Sequence, residues 1–470
     1  MTNFKQRRLL IRSILPAGAA AALGSLGLLG GCGDGRPARG NATSDGTGKS
    51  TTETAELGDA CLPPLQSEPI DAAAIQPTLA KSLFEIDETN QAATFRHVDL
   101  IHPTRPIRQN PCRARALEPA PHYALSSLRY PFKSDMAGID DYMRRNRTVG
   151  LLIMKDGKVA LERYGMGQTD TSKWTSFSLT KSFTSTLAGA AVLDGQLDLS
   201  QPVSRYLNRD LVGRYADVTI ENLLRMRSGI GWQELDFNAL LAVFMPALQK
   251  HGGQKGDVLS AVVAIVHDLE QDVGVPQFRY STPDSIVLGN VVQAAIGRPL
   301  NTYLQEKIWE PAGMECDAYW LSESAAGNVL GGAGLSATLR DFGRFGQFIL
   351  TGAKGRDGKS ILPPDWARSA YVSGPNGGPG RFVPAGDRET DGYGYQWWIV
   401  GPNDSGRADD TQPPIFYASG LMGQRIFIDP VTQVVMVVLS AWHLPLFDPA
   451  YFDRNAETMA MLRAAIGTMR

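Results

Sequence analysis

Ser178-Leu179-Thr180-Lys181, followed by the apolar run from Phe183 to Val192, is the stretch on which the reading of this chain turns. At helical spacing a serine and a lysine three residues apart share one face, a turn from each other. A serine hydroxyl is a poor nucleophile unless a base sits within hydrogen-bond reach. A lysine serves as that base only where desolvation or neighbouring positive charge lowers its pKa. The helix that follows is too apolar for a surface helix, so burial of its start supplies the desolvation. The free N–H groups and positive dipole end at the same place favour a developing anion. The SxxK spacing occurs once in the chain.

Two later stretches carry groups that could complete such a site. Phe278-Arg279-Tyr280-Ser281-Thr282-Pro283-Asp284-Ser285 reads as a loop turning into a helix, and a tyrosine there could share a proton with the serine and lysine. Ser419-Gly420-Leu421-Met422-Gly423-Gln424 leads into a strand, and its glycines would let an edge backbone approach a substrate closely. A backbone N–H near Gln424, with that of Ser178, could form an oxyanion hole.

Working outward, Leu151 to Met154 and Val159 to Leu161 enclose Lys155-Asp156-Gly157-Lys158, a strong hairpin signal. Arg425 to Ile428 and Val434 to Leu439 enclose Asp429-Pro430 as a second hairpin. Between them apolar residues recur at three- and four-residue intervals over Ser178–Leu193, Ile220–Met226, Val258–Leu269, Ser285–Ala295 and Leu339–Leu350, and Ala456–Ile466 closes the chain the same way. The expected fold is α+β: an antiparallel sheet built from both ends of the domain, flanked by helices, with a helical region inserted.

The 470 residues include 43% hydrophobic and 20% charged residues at a net charge of -2, with no basic excess to gather nucleic acid. Lys5, Arg7, Arg8 and Arg12 precede a small-residue, apolar stretch from Ile14 to Gly31, the plan of an export signal. Leu29-Gly30-Gly31-Cys32 resembles the lipobox of bacterial lipoproteins, and Arg7-Arg8 a twin-arginine signal. Residues 1–32 are therefore expected to be a signal ending at a lipidated Cys32, 33–60 a flexible tether, 61–123 an irregular arm and 124–470 the catalytic body. Membrane attachment would run through that lipid anchor. Cys61 and Cys112 could pair, leaving Cys316 as a buried thiol. The scattered histidines and cysteines lack zinc-site spacing, and no metal or other cofactor is expected.

Taken in order, the three chemical stretches resemble the serine β-lactamase, D,D-peptidase and esterase superfamily, most strongly the 6-aminohexanoate-dimer hydrolases and related class C-like esterases. Leu224–Trp232, Gly331–Leu335 and Tyr393–Trp398 share in the likeness, which runs from about Phe95 to about Met461. The resemblance implies a β-lactamase/penicillin-binding-protein-like fold, with Ser178 as acylated nucleophile, Lys181 as its base and Tyr280 as proton relay.

Two departures bear on substrate. Thr282 stands where many members have asparagine, and the Lys-Thr-Gly slot is read as Leu421-Met422-Gly423, without a cation. Small ester or linear-amide substrates are thus expected over β-lactams and peptide termini. The candidate substrate contacts are Thr282, Trp232, Trp397 and Met422. Glu234 and Asp284 lie close to the motifs and could orient Lys181 or bind a substrate amine, but they are read as solvated or helix-capping and left out of the catalytic set. No GxSxG elbow supports a Ser-His-Asp alternative. A binding protein of the same fold that has lost catalysis is the other alternative.

Overall fold

The structure, a computed structural model, describes residues 88–120, 123, 125–234, 257–267, 269–271, 278–371, 391–400, 413–443 and 449–470. The first helix is α1 (Glu88–Arg96), and β1 (Thr104–Ile107) follows it. A small ribbon, β2 (Arg129–Phe132) and β3 (Asp135–Gly138), leads into α2 (Ile139–Arg145).

The main sheet opens with β4 (Thr148–Lys155) and β5 (Lys158–Tyr164). Their turn places Asp156 at φ 50° and Gly157 at φ 78°, the left-handed pair that a tight two-residue hairpin requires. The remaining strands come from the carboxyl-terminal third: β9 (Asp391–Tyr393), β10 (Trp398–Val400), β11 (Phe416–Gly420), β12 (Gln424–Asp429) and β13 (Val434–Ser440). They assemble in the order β5-β4-β13-β12-β11-β10-β9, each neighbour antiparallel. The sheet therefore joins the two ends of the domain, as the two hairpin signals imply.

Alternation along the central strands feeds two cores. Leu151, Ile153, Phe427, Met436 and Val438 pack against Met461, Leu462 and Ile466 of the last helix, α8 (Pro449–Thr468). Leu152, Met154, Ile426, Val435 and Val437 face the opposite way, into the larger core. There α7 (Leu339–Leu350) lies directly on the sheet, because a Cβ at Gly343 would stand 2.4 Å from Leu152 Cδ2 and one at Gly346 2.6 Å from Val435 Cγ1. Burial on both faces explains why β13 is apolar without a break from Val434 to Leu439, and β12 from Ile426 to Ile428.

The inserted helical region comprises α3 (Thr180–Leu193), α4 (Ile220–Leu224), α5 (Val258–His267) and α6 (Thr282–Ile296). A second sheet, ordered β1-β7-β8-β6 with β6 (Trp174–Thr175), β7 (Ala318–Leu321) and β8 (Leu335–Ala337), carries the chain into the start of α3.

Within the expected irregular arm, Glu88–Arg96 and Thr104–Ile107 are regular structure packed into the body, while residues 108–120 are turn and loop. β1 is the edge partner of β7, and the Phe95 side chain of α1 is fully buried in the main core. Weak periodicity hid this, since one short helix and one edge strand contribute few apolar positions of their own. Cys112 is held in a disulfide and Cys316 is a buried free thiol; Cys61, the expected partner, lies outside the described residues. The expected signal, Cys32 and the tether also lie outside them. Among the described residues, no helix is long and apolar enough to cross a membrane.

Candidate active site

The chain reaches α3 through a sharp turn. Trp174 and Thr175 pair with Ala337 and Ser336 of β8, and the Ser176 N–H donates to the Leu335 carbonyl at 2.9 Å. Phe177 then adopts φ 48°, an uncommon conformation for a residue with a side chain. Its ring is held edge-on by Phe95 of α1, centroids 5.0 Å apart. The Ser176 and Thr180 hydroxyls bond each other at 2.9 Å, and Thr180 Oγ1 accepts from the Leu335 N–H at 3.0 Å. This frame leaves Ser178 half-buried at the head of the helix.

Lys181, one turn on, is buried, and its Nζ donates to Ser178 Oγ at 2.8 Å, Thr282 Oγ1 at 2.9 Å and the Gly332 carbonyl at 3.0 Å. Burial pushes its pKa down from 10.5 to about 8, with the Glu234 carboxylate pulling the other way. At that value a useful fraction of the lysine is free amine near neutral pH.

Tyr280 approaches from the loop before α6. Its ring centroid is 5.0 Å from Lys181 Nζ, and the ring stacks on half-buried Trp398 at 5.4 Å. Ser281 caps α6 by accepting from the Asp284 N–H at 3.1 Å. Asp284 is fully buried and accepts from the hydroxyls of Ser281, Tyr215 and Ser228 at 2.8, 2.9 and 2.9 Å, a staple that ties three segments behind the site. Burial pushes its carboxyl up to about 6 despite these donors.

Glu234, read from sequence as solvated or capping with a part in orienting Lys181 as the alternative, belongs to the cluster. It accepts from the Thr282 N–H at 2.9 Å, from the Trp232 indole N–H at 2.6 Å and from the Thr282 hydroxyl. The local signal for it is its place two residues after Trp232, at the end of the Leu224–Trp232 motif, and the partner that gives it meaning is 48 residues away.

The third edge differs in register from the sequence reading. The residue pressed against the nucleophile turn is Gly420, where a Cβ would stand 2.1 Å from the Ser176 carbonyl oxygen. The segment occupying the third slot is thus Ala418-Ser419-Gly420 of β11, rather than Leu421-Met422-Gly423. Ala418 is buried and apolar, so this segment still offers no cation. Gln424 pairs across the ladder from Gly420, and its side chain is spent on the Trp174 indole, the Leu421 carbonyl and both backbone groups of Ser440.

The expected substrate contacts are also relocated. Trp397 is fully buried between Phe345, Tyr371 and Phe416, and Trp232 is turned inward to Glu234. Met422 is buried beneath Gln91 of α1, whose amide N–H reaches Met422 Sδ at 3.1 Å. Thr282 faces Lys181 and Glu234 with its hydroxyl committed to both. None of the four presents a surface to an incoming acyl chain; the aromatic beside Tyr280 that is not fully buried is Trp398.

An antiparallel sheet between helical layers, with a Ser-Lys pair heading a buried helix and a glycine strand end against it, defines the α+β class of β-lactamases and penicillin-binding proteins. The sequence profile of the β-lactamase family matches residues 136–458, and the chain belongs to that family. It is 24% identical over 381 residues to the 6-aminohexanoate-dimer hydrolase of Paenarthrobacter ureafaciens, spanning 80% of this chain and 90% of that relative.

Among solved structures it resembles "Putative 6-aminohexanoate-dimer hydrolase from Bacillus anthracis", with a TM-score of 0.65 and 20% identity over 80% of this chain and 94% of that one. It also resembles the octameric penicillin-binding protein homologue from Pyrococcus abyssi, with a TM-score of 0.50 and 22% identity over 70% of this chain and 75% of that one. These structural likenesses establish the fold.

Proposed function

We propose that this protein is a serine hydrolase that cleaves ester or linear amide bonds through an acyl-enzyme on Ser178. The observation that carries the reading is the 2.8 Å contact between Ser178 Oγ and the Nζ of Lys181, a buried lysine whose pKa burial pushes down to about 8. In the first step Ser178 Oγ attacks the carbonyl carbon while its proton passes to the Lys181 amine. The oxyanion is held by the Ser178 N–H and a backbone N–H of the Gly420–Gln424 hairpin, in an environment where such donors act strongly. When the tetrahedral intermediate collapses, the leaving alcohol or amine departs with a proton handed on from Lys181 through Tyr280. Water then attacks the ester on Ser178 with the same groups in reversed roles, releasing the acid and restoring the serine.

The chemistry of the third edge favours uncharged substrates. A β-lactam carries a carboxylate beside its reactive carbonyl, and burying that charge unpaired costs several kcal/mol, roughly. Ala418 supplies no partner for it. The cation on this hairpin, Arg425, is buried and donates to the carbonyls of Gly420 and Gln424 and to Asn455 Oδ1. The sequence relationship to a 6-aminohexanoate-dimer hydrolase supports the linear-amide side of the reading.

The test is kcat/KM for a short-chain p-nitrophenyl ester against nitrocefin, with Ser178→Ala as blank. Ester turnover that vanishes in the blank is expected. Efficient nitrocefin turnover without ester hydrolysis would overturn the substrate class and favour a β-lactamase. A protein inert to both and to a fluorophosphonate probe would be a binding protein. We further propose export with lipid anchoring at Cys32, on the strength of the lipobox-like Leu29–Cys32. Normal membrane fractionation of Cys32→Ser would refute that anchor.

A further inference from the structure

The nitrogen of a neutral lysine carries two hydrogens and one lone pair, and only the lone pair can take a proton from serine. Lys181 Nζ has three polar oxygens around it: Ser178 Oγ at 2.8 Å, Thr282 Oγ1 at 2.9 Å and the Gly332 carbonyl at 3.0 Å. A carbonyl can only accept, whereas a hydroxyl can donate or accept. Thr282 therefore decides the outcome. Were its hydrogen turned toward Lys181, it would occupy the lone pair and leave Ser178 without a base.

We infer that Glu234 is a positioning residue which, by taking the Thr282 hydroxyl hydrogen, turns that hydroxyl into an acceptor and aims the Lys181 lone pair at Ser178. The inference rests on the acyl-enzyme reading above. An ionised carboxylate has no hydrogen to donate, so the Thr282 hydroxyl can only be the donor in its bond to Glu234. The carboxylate cannot swing away easily, because the Trp232 indole N–H and the Thr282 N–H also hold it, at 2.6 and 2.9 Å. With Lys181 as the neutral amine the order of donors is then fixed along the chain: Lys181 to Thr282, Thr282 to Glu234, and Ser178 to Lys181, the last reversing the bond that the ammonium donates to Ser178 Oγ.

Once attack has made Lys181 an ammonium, the same arrangement satisfies two of its hydrogens and leaves the third directed at the reacting oxygen. The Glu234 charge, relayed through one hydroxyl, also favours that ammonium. The other titratable groups around Lys181 are Tyr280, whose ring lies over the amine, and one layer out Asp284 of α6 and Tyr393 of β9. Arg279, next to Tyr280, is directed at the Ile230 carbonyl.

The experiment is a double-mutant cycle on the full chain with Glu234→Ala and Thr282→Val, read by fluorophosphonate acylation and by kcat and KM for a neutral p-nitrophenyl ester. Melting temperatures check folding, and Ser178→Ala controls the underlying reading. Glu234→Ala alone should slow acylation on the order of ten- to a hundred-fold with KM little changed. In the Thr282→Val background, where no hydroxyl competes for the lone pair, the same change should cost about twofold or less. The acid limb of kcat/KM should move to lower pH in Glu234→Ala, because an anion that favours the ammonium is gone.

Glu234→Gln keeps the side-chain shape and should show the same shift of the limb should the alanine variant fold poorly. Equal losses in both backgrounds, or a rise in KM with kcat intact, would overturn the inference and make Glu234 a packing or substrate-binding residue. Labelling that survives Ser178→Ala would instead sink the acyl-enzyme reading itself.

Discussion

Replacing Gly420 with alanine tests the link between the strand end and the nucleophile turn. Gly420 has φ -126° and ψ 156°, an extended conformation open to any residue, so backbone strain does not demand the glycine. Space does. An added Cβ would stand 2.1 Å from the Ser176 carbonyl oxygen and 3.0 Å from Gln424 Cβ, against a closest approach of 3.0 Å that real Cβ atoms respect. One of the two backbones must retreat by about 1 Å.

Neither is loose. Ser176 is pinned to Leu335 and Thr180, while β11 is laddered to β12 and Arg425 grips the Gly420 carbonyl at 2.8 Å. Because Ser176 lies two residues before Ser178, the displacement is delivered to the nucleophile. A misplacement of that size costs on the order of a hundredfold in rate, about 2.7 kcal/mol of barrier. Overpacking should also cost the fold roughly 1–3 kcal/mol. The assay is kcat/KM on a p-nitrophenyl ester together with a thermal melt of Gly420→Ala. Wild-type turnover at wild-type melting temperature would refute the reasoning, since it would mean that the strand end yields freely or is not coupled to Ser178.

Two further outcomes follow from buried charges. With Lys181 pushed down to about 8, kcat/KM for an uncharged ester should climb with pH and level off above about 8, and at pH 6 stand on the order of one-hundredth of the plateau; a flat profile from pH 6 to 9 would remove Lys181 as the base. Asp284 is raised from 3.8 to about 6 by burial, so the folded state binds its proton more tightly than the unfolded chain does. Its contribution to stability is therefore present below about pH 4 and lost as pH rises through about 6, a loss on the order of 3 kcal/mol. Asp284→Asn cannot ionise, so its melting temperature relative to wild type should rise across that window; a constant offset between pH 4 and 7 would count against the buried charge.

What could be read from the sequence alone was whatever is encoded within a dozen neighbouring residues. The two hairpins were legible because Asp156-Gly157 and Asp429-Pro430 sit between apolar runs, and α3, α6 and α7 because their apolar spacing is helical. The pairing of Ser178 with Lys181 follows from helical pitch, so its 2.8 Å contact needed no tertiary information beyond burial.

Relations between distant segments needed the fold. The Ala418–Gly420 register depends on which strand end meets Ser176 across 244 residues, and a slide of three positions leaves the local glycine pattern looking equally good. Trp232 and Trp397 have the composition of pocket walls, and only packing shows that they are turned inward. The helix α1 looks irregular by itself, yet Phe95 and Gln91 place it against both the Phe177 turn and Met422. Glu234 is the clearest case: its three donors arrive from Trp232 and from the head of α6, and a carboxylate takes its meaning from the hydrogens aimed at it, which chain order does not reveal.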